Sequence, residues 1–302
     1  MKNRAQSGSV FLCLRFLFSG DAKDGGEQNI PFSDYLWRED EPRMTEGNPC
    51  GAVQIGRQGE VGKVTDGLEM EMGKIRAMNI IALETATDPG SIALWRDGAV
   101  SAASCPDGLS NSETLLPLLD ATLRDAGLGF ADIDGVAFGI GPGSFTGLRV
   151  ACGVAQGLAV ARDLPMLGIG TLEAMALASG GERVIVALDA RMGEGYFGCY
   201  EQGVLQGEIG VYAPEAVPLP VSGGWLACGN GLAAYPALRE RLAPFVTAWQ
   251  PEIMPSAEAV VRLAASRLAR GEQIDPADAM PLYVRNKVAQ TVAERLALGG
   301  KA

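Results

Sequence analysis

The sequence predicts an α/β protein built twice: two similar halves, each a mixed β-sheet flanked by helices. Two observations carry that expectation. Strand–turn–strand patterns open two separate stretches, from Asn79 and from Val184, and overlay without a gap at an offset of 105 residues. Within and after the first of them, short apolar runs alternate with segments of helical spacing. That order builds parallel strands joined by crossover helices.

Taken in chain order, Asn79-Ile80-Ile81-Ala82-Leu83 is the short apolar run of a buried strand. It ends at Glu84-Thr85-Ala86-Thr87, turns at Asp88-Pro89-Gly90, and a second strand runs from Ser91 to Trp95. Arg96-Asp97-Gly98 carries the Asp-Gly hairpin signal, and a third strand through Val100 to Ser104 completes a meander. Ser112-Glu113-Thr114 opens a helix whose Leu115, Leu116, Leu118, Leu119 and Leu123 recur at helical spacing, with Gly127 as its stop. Gly135 to Phe138 is the next strand. It leads through the loop Gly139–Gly147 into a long helix, Leu148 to Arg162, and a strand from Met166 to Ile169.

The second hairpin is Val184 to Asp189, a turn, then Tyr196 to Tyr200. The overlay sets Ala82 on Ala187, Leu83 on Leu188, Glu84 on Asp189, Gly90 on Gly195, Trp95 on Tyr200 and Gly98 on Gly203. Such internal repetition is the signature of an actin-like duplicated fold, in which acidic hairpin turns of the two halves face each other across a nucleotide cleft. The halves are set at 78–178 and 179–302.

Composition bounds the chemistry. Charged residues are 20% and hydrophobic residues 47% of 302, an ordinary globular balance, so wholesale disorder is excluded. There is no histidine, which removes Ser-His-Asp triads, Cys-His dyads and His-ligated zinc. Six cysteines lie far apart without a CxxC pair, and read as reduced thiols of a cytoplasmic protein. The net charge of −11 opposes unaided binding to a phosphate backbone. No run approaches the ~20 apolar residues of a membrane span.

Gly139–Gly147 is the most specialised segment. Its glycines let backbone approach a ligand and it ends at a helix N-terminus, which favours an anion. Thr85, Gly141, Gly143, Ser144 and Thr146 are therefore candidate nucleotide or phosphate contacts, and Glu84 and Asp189 could hold magnesium through water. Equally, the glycines could serve only a tight strand-to-helix turn. The loop is neither a Walker loop nor GxGxxG, and no lysine stands nearby to complete a phosphoryl-transfer site. In the helix that follows, Ala151/Ala155 and Gly153/Gly157 make two small-xxx-small spacings. Two helical glycines cost about 1 kcal/mol each, which close helix–helix approach offsets.

Met78-Asn-Ile-Ile-Ala-Leu-Glu-Thr-Ala-Thr, Gly141-Pro-Gly-Ser-Phe-Thr-Gly-Leu-Arg149, Gln156-Gly-Leu-Ala159 and Pro281-Leu-Tyr-Val-Arg-Asn-Lys287 together resemble the TsaB (YeaZ) family. The resemblance runs from Met78 to about Lys287. It implies an actin-like fold and a non-catalytic subunit in the formation of N6-threonylcarbamoyladenosine, in tRNAs reading codons that start with A. Such a subunit binds the catalytic paralogue TsaD, with the ATPase TsaE, for transfer of threonylcarbamoyl from its adenylate to tRNA. It implies no catalytic residue, no metal and no cofactor of the chain's own, with ATP or ADP and magnesium belonging to the complex. It also implies tRNA contact only through that complex, and a homodimer as the state open to the free chain. The partner interface falls on the helices Ser112–Ala126 and Leu148–Arg162, with Leu148, Arg149, Val154, Gln156 and Gly157 as its candidates. Asn111 stands where the family often has a histidine. An autonomous actin-fold ATPase or small-molecule kinase is the alternative. Residues 1–77 have no counterpart in the resemblance. They are expected to be a disordered extension, or to precede a true start at Met78.

Overall fold

The computed structural model describes residues 78–284, so the expectations for residues 1–77 and for Arg285 to Lys287 lie outside the described residues. Two five-stranded sheets organise the described chain. The first holds β1 (Ile80–Glu84), β2 (Ser91–Arg96), β3 (Ala99–Ser104), β4 (Gly135–Gly141) and β5 (Met166–Gly170) in the order β3-β2-β1-β4-β5. The second holds β6 (Arg183–Asp189), β7 (Gly195–Glu201), β8 (Val204–Tyr212), β9 (Trp225–Cys228) and β10 (Val246–Gln250) in the order β8-β7-β6-β9-β10. In each sheet the opening meander is antiparallel, and the two later strands run parallel to its first member. The repeated order establishes the duplicated, actin-like α/β fold.

Among the described residues, six helices cover the sheets: α1 (Asn111–Asp125), α2 (Phe145–Arg162), α3 (Thr171–Ser179), α4 (Gly231–Ala234), α5 (Pro236–Leu242) and α6 (Ala257–Ala269). Leu115, Leu119 and Leu123 of α1 and Val150, Val154 and Leu158 of α2 pack with Ile81, Leu83 and Phe138 on one face of the first sheet. The opposite face, Ile80, Ala82 and Ala137, meets Val260, Val261 and Ala264 of α6. The helix α3 is shared, with Ala174 on the first sheet and Leu172, Met175 and Ala176 on the second. Leu232, Leu238 and Leu242 of α4 and α5 cover the outer face of the second sheet through Ile185 and Ala187. Every residue of β1 is buried, which is why its run is wholly apolar up to Glu84.

Two sequence-based boundaries shift. β4 continues to Gly141, and α2 begins at Phe145, three residues before Leu148, because the Ser144 hydroxyl accepts from Gly147 N and sets the helix start there. The repeat is also out of register in its first strand. Ile81 and Leu83 face the outer helices, whereas at the 105-residue offset Val186 and Leu188 face α3. In the return strand the offset holds, since Ile92 and Phe197 both face outward. Side chains alternate along a strand, so a slip of one residue exchanges the faces. Glu84 and Asp189 therefore occupy neighbouring, not equivalent, positions.

Candidate functional site

The site is a cleft of about 360 Å³ at the strand ends where the two sheets' loops meet. Its walls come from the first hairpin turn (Ala86, Thr87, Asp88), the β4–α2 loop (Gly143, Ser144, Phe145) and the second turn (Asp189 to Met192). Leu148, Tyr196, Asn230, Met254 and the segment Leu282–Val284 complete them.

The β4–α2 loop is zipped to the exit of β1. Ser144 N donates to Ala86 O at 2.8 Å, and the Thr85 hydroxyl donates to Gly147 O at 2.7 Å. A Cβ at Gly147 would stand 2.0 Å from Thr85 O, and one at Gly143 would stand 2.6 Å from Ala86 O. These glycines admit the protein's own backbone, as a tight strand-to-helix turn requires. Of the candidate phosphate contacts, Gly143, Ser144 and Asp189 line the cleft. Thr85 and Gly141 are buried, and Thr146 is exposed at the start of α2 outside the cleft lining.

Glu84 and Asp189 do not form a facing pair. Glu84 points to the α3 side of its sheet, 2% exposed, where its carboxylate accepts from Ala86 N at 2.8 Å and from the Thr171 hydroxyl at 3.0 Å. Burial raises its pKa from 4.5 to about 7, against the opposing pull of hydrogen bonds from Ala86, Thr171 and Thr85. Asp189 points to the α4–α5 side, where its Oδ1 accepts from Arg191 N at 2.8 Å and from the Tyr235 hydroxyl at 2.6 Å. The missing one-residue equivalence between β1 and β6 is the cause. Glu84 is sealed away from the cleft, Asp189 lines it, and of the loop amides that of Ser144 is bonded to Ala86 O.

Asn111 is explained by the first turn: its side-chain oxygen accepts from Gly90 N at 2.9 Å and its amide donates to Asp88 Oδ1 at 2.9 Å. Burial pushes the thiols of Cys152 and Cys199 up to about 11 and that of Cys228 to about 12, so none is a thiolate near neutral pH.

The interface candidates divide. Leu148 and Val154 are 1% and 8% exposed and belong to the core beneath α2, so they are corrected: they are not surface residues. Arg149 is exposed, its guanidinium 3.8 Å from the centre of the Phe145 ring, and its Nε donates to the Tyr283 hydroxyl at 3.0 Å. The Gln156 amide donates to Pro276 O at 2.7 Å and to Ala279 O at 3.2 Å. Gly153 and Gly157 are half-buried, and Val160 beside them is exposed. Tyr283, Asn230 and Tyr235 were missed as site residues; Pro281-Leu-Tyr-Val was visible as a string, but nothing local ties it to α2.

Set against known proteins, the chain is 39% identical to the tRNA threonylcarbamoyladenosine biosynthesis protein TsaB of Escherichia coli over 226 residues, 70% of this chain and 96% of that protein. The chain belongs to the TsaB family. The Haemophilus influenzae TsaB is 32% identical over 228 residues, 70% of this chain and 95% of that one. A crystal structure from Pseudomonas aeruginosa, described as an uncharacterized protein with similarity to peptidase YEAZ, superposes with a TM-score of 0.63 at 36% identity. It covers 69% of this chain and all, 100%, of its own. The family model described as TsaD, tRNA N6-adenosine threonylcarbamoyltransferase, matches residues 110–217 of this TsaB-family chain, from α1 to just past β8. Among the described residues, no helix is long and apolar enough to cross a membrane.

Proposed function

We propose that this TsaB-family chain is a non-catalytic subunit of tRNA N6-threonylcarbamoyladenosine formation, one that binds and activates the catalytic paralogue TsaD and works with the ATPase TsaE. The observation that carries the reading is the match over 96% of E. coli TsaB. Its non-catalytic character is supported by the absence of histidine, the raised thiol pKa values and the engaged Glu84 carboxylate. The net charge of −11 suits a subunit that meets tRNA through its partner.

The partner surface is the stripe of α2 formed by Thr146, Gly153, Gly157 and Val160. At 100° per residue these four fall within one narrow arc, and none of them is among the buried residues of α2. Two glycines there let a second helix approach closely, and that contact offsets their helix cost. Light scattering during size-exclusion chromatography of the full chain mixed with TsaD of the same organism is expected to give a one-to-one complex. Gly157→Arg is expected to weaken it at least tenfold while leaving the far-UV circular dichroism of the free chain unchanged. A well-folded chain that never co-elutes with TsaD overturns the proposal.

A further inference from the structure

Two of the α2 residues expected to meet a partner, Arg149 and Gln156, bond a piece of the chain's own C-terminal region. Arg149, Cys152 and Gln156 lie on one stripe of the helix, about 60° wide at 100° per residue. Cys152 Sγ donates to Ala279 O at 3.5 Å, Gln156 donates to Pro276 O and Ala279 O, and Arg149 donates to the Tyr283 hydroxyl. One backbone bond, Leu282 N to Ile140 O at 2.7 Å, fixes the far end to the end of β4. Beyond Pro276–Asp278 the segment has no regular structure and adds no strand to either sheet, and it is held by side chains on α2, by that backbone bond and by burial of Ala279. Its last three described residues, Leu282, Tyr283 and Val284, are at the same time a wall of the cleft. Val284 packs against the cluster of the second sheet that contains Tyr196, another lining residue. Tyr283 and Phe145, also cleft residues, have ring centres 5.6 Å apart with Arg149 over the Phe145 ring.

We propose that Pro276–Val284 is a detachable strap closing the cleft, that α2 is its latch, and that Gln156 is the positioning residue of that latch. Gln156 alone supplies two of the hydrogen bonds, both to main-chain carbonyls, so the strap is held whatever its side chains are. The strap runs from the outer face of α2 to the cleft between the sheets. A partner or ligand that takes the hydrogen bonds of Gln156 or the stack of Arg149 opens the cleft. The reading concerns the free chain and does not depend on the partner proposed above.

Hydrogen exchange of the full chain, followed at single amides, tests it. In Gln156→Leu, which keeps the bulk and loses the donor, the Leu282 amide is expected to exchange at least tenfold faster, with the β1 amides of Ile81 and Leu83 unchanged. In Gln156→Lys, which keeps a donor, Leu282 is expected to stay within threefold of the wild type. Unchanged exchange at Leu282 in Gln156→Leu overturns the latch. Equal acceleration at Leu282, Ile81 and Leu83 also overturns it, because Gln156 would then be supporting the whole fold and not a detachable segment. Loss of protection in both variants removes the donor argument and overturns the role given to Gln156.

Discussion

Glu84→Gln is expected to stabilise the folded chain above pH 7 and to change the way its stability depends on pH. The Glu84 carboxylate is almost fully buried, no cation among the described residues is bonded to it, and its pKa is raised by burial to about 7. In the unfolded chain the same group titrates near 4.5. Between these values the folded state holds a proton that the unfolded state has lost, so stability is greatest below pH 4.5 and falls as pH rises through 7. The shift of 4.5 to 7 corresponds to a loss of about 3 kcal/mol, at 1.36 kcal/mol per unit. Gln keeps an oxygen for Ala86 N and places a donor toward the Thr171 hydroxyl, without the buried charge. Thermal unfolding at pH 5 and pH 8 checks this. The variant is expected to gain about 1–3 kcal/mol over the wild type at pH 8 and little at pH 5, or several degrees in Tm at about 2–4 °C per kcal/mol. A difference that is the same at both values means Glu84 does not titrate in this range.

Gly147→Ala is expected to be the most damaging single methyl in the site. Its Cβ would stand 2.0 Å from the Thr85 carbonyl oxygen, which is backbone and cannot rotate away. Relief requires α2 to lift from β1, breaking the bond from the Thr85 hydroxyl to Gly147 O and loosening the first cleft wall. A cost of about 3 kcal/mol is expected from overpacking of this kind. Helix propensity pulls the other way by ~1 kcal/mol, so the measured sign separates the two effects. Urea unfolding checks it: a midpoint at or above that of the wild type would mean that the β4–α2 loop has room the structure does not give it.

Local pattern carried most of the fold. The wholly apolar Ile80–Leu83, the Asp-Gly turn at Asp97-Gly98 and the leucines of α1 each placed an element to within three residues, because each reports on its own immediate surroundings. The duplication was legible for the same reason, since both halves had to rebuild the same antiparallel meander. What failed was its register. An ungapped overlay cannot tell on which face of a sheet a residue stands, and a slip of one put Glu84 and Asp189 in a pair that the two sheets keep apart.

Two of the expected interface residues, Leu148 and Val154, are buried for a related cause. Leu148 and Val154 share a helix with Arg149 and Gln156, and nothing in their spacing says which arc of α2 meets the sheet. The strap shows the limit most clearly. Gln156 and Pro276 are 120 residues apart, and Arg149 and Tyr283 are 134 apart. The sequence by itself determined the elements, the repetition of the α/β unit and, through four motif strings, the family. Only the tertiary structure decided which carboxylate faces the cleft, what fills the space beside the loop glycines and what holds the strap. Those depend on pairings between distant segments, and such pairings are selected by the packing of the whole chain, not by any local preference.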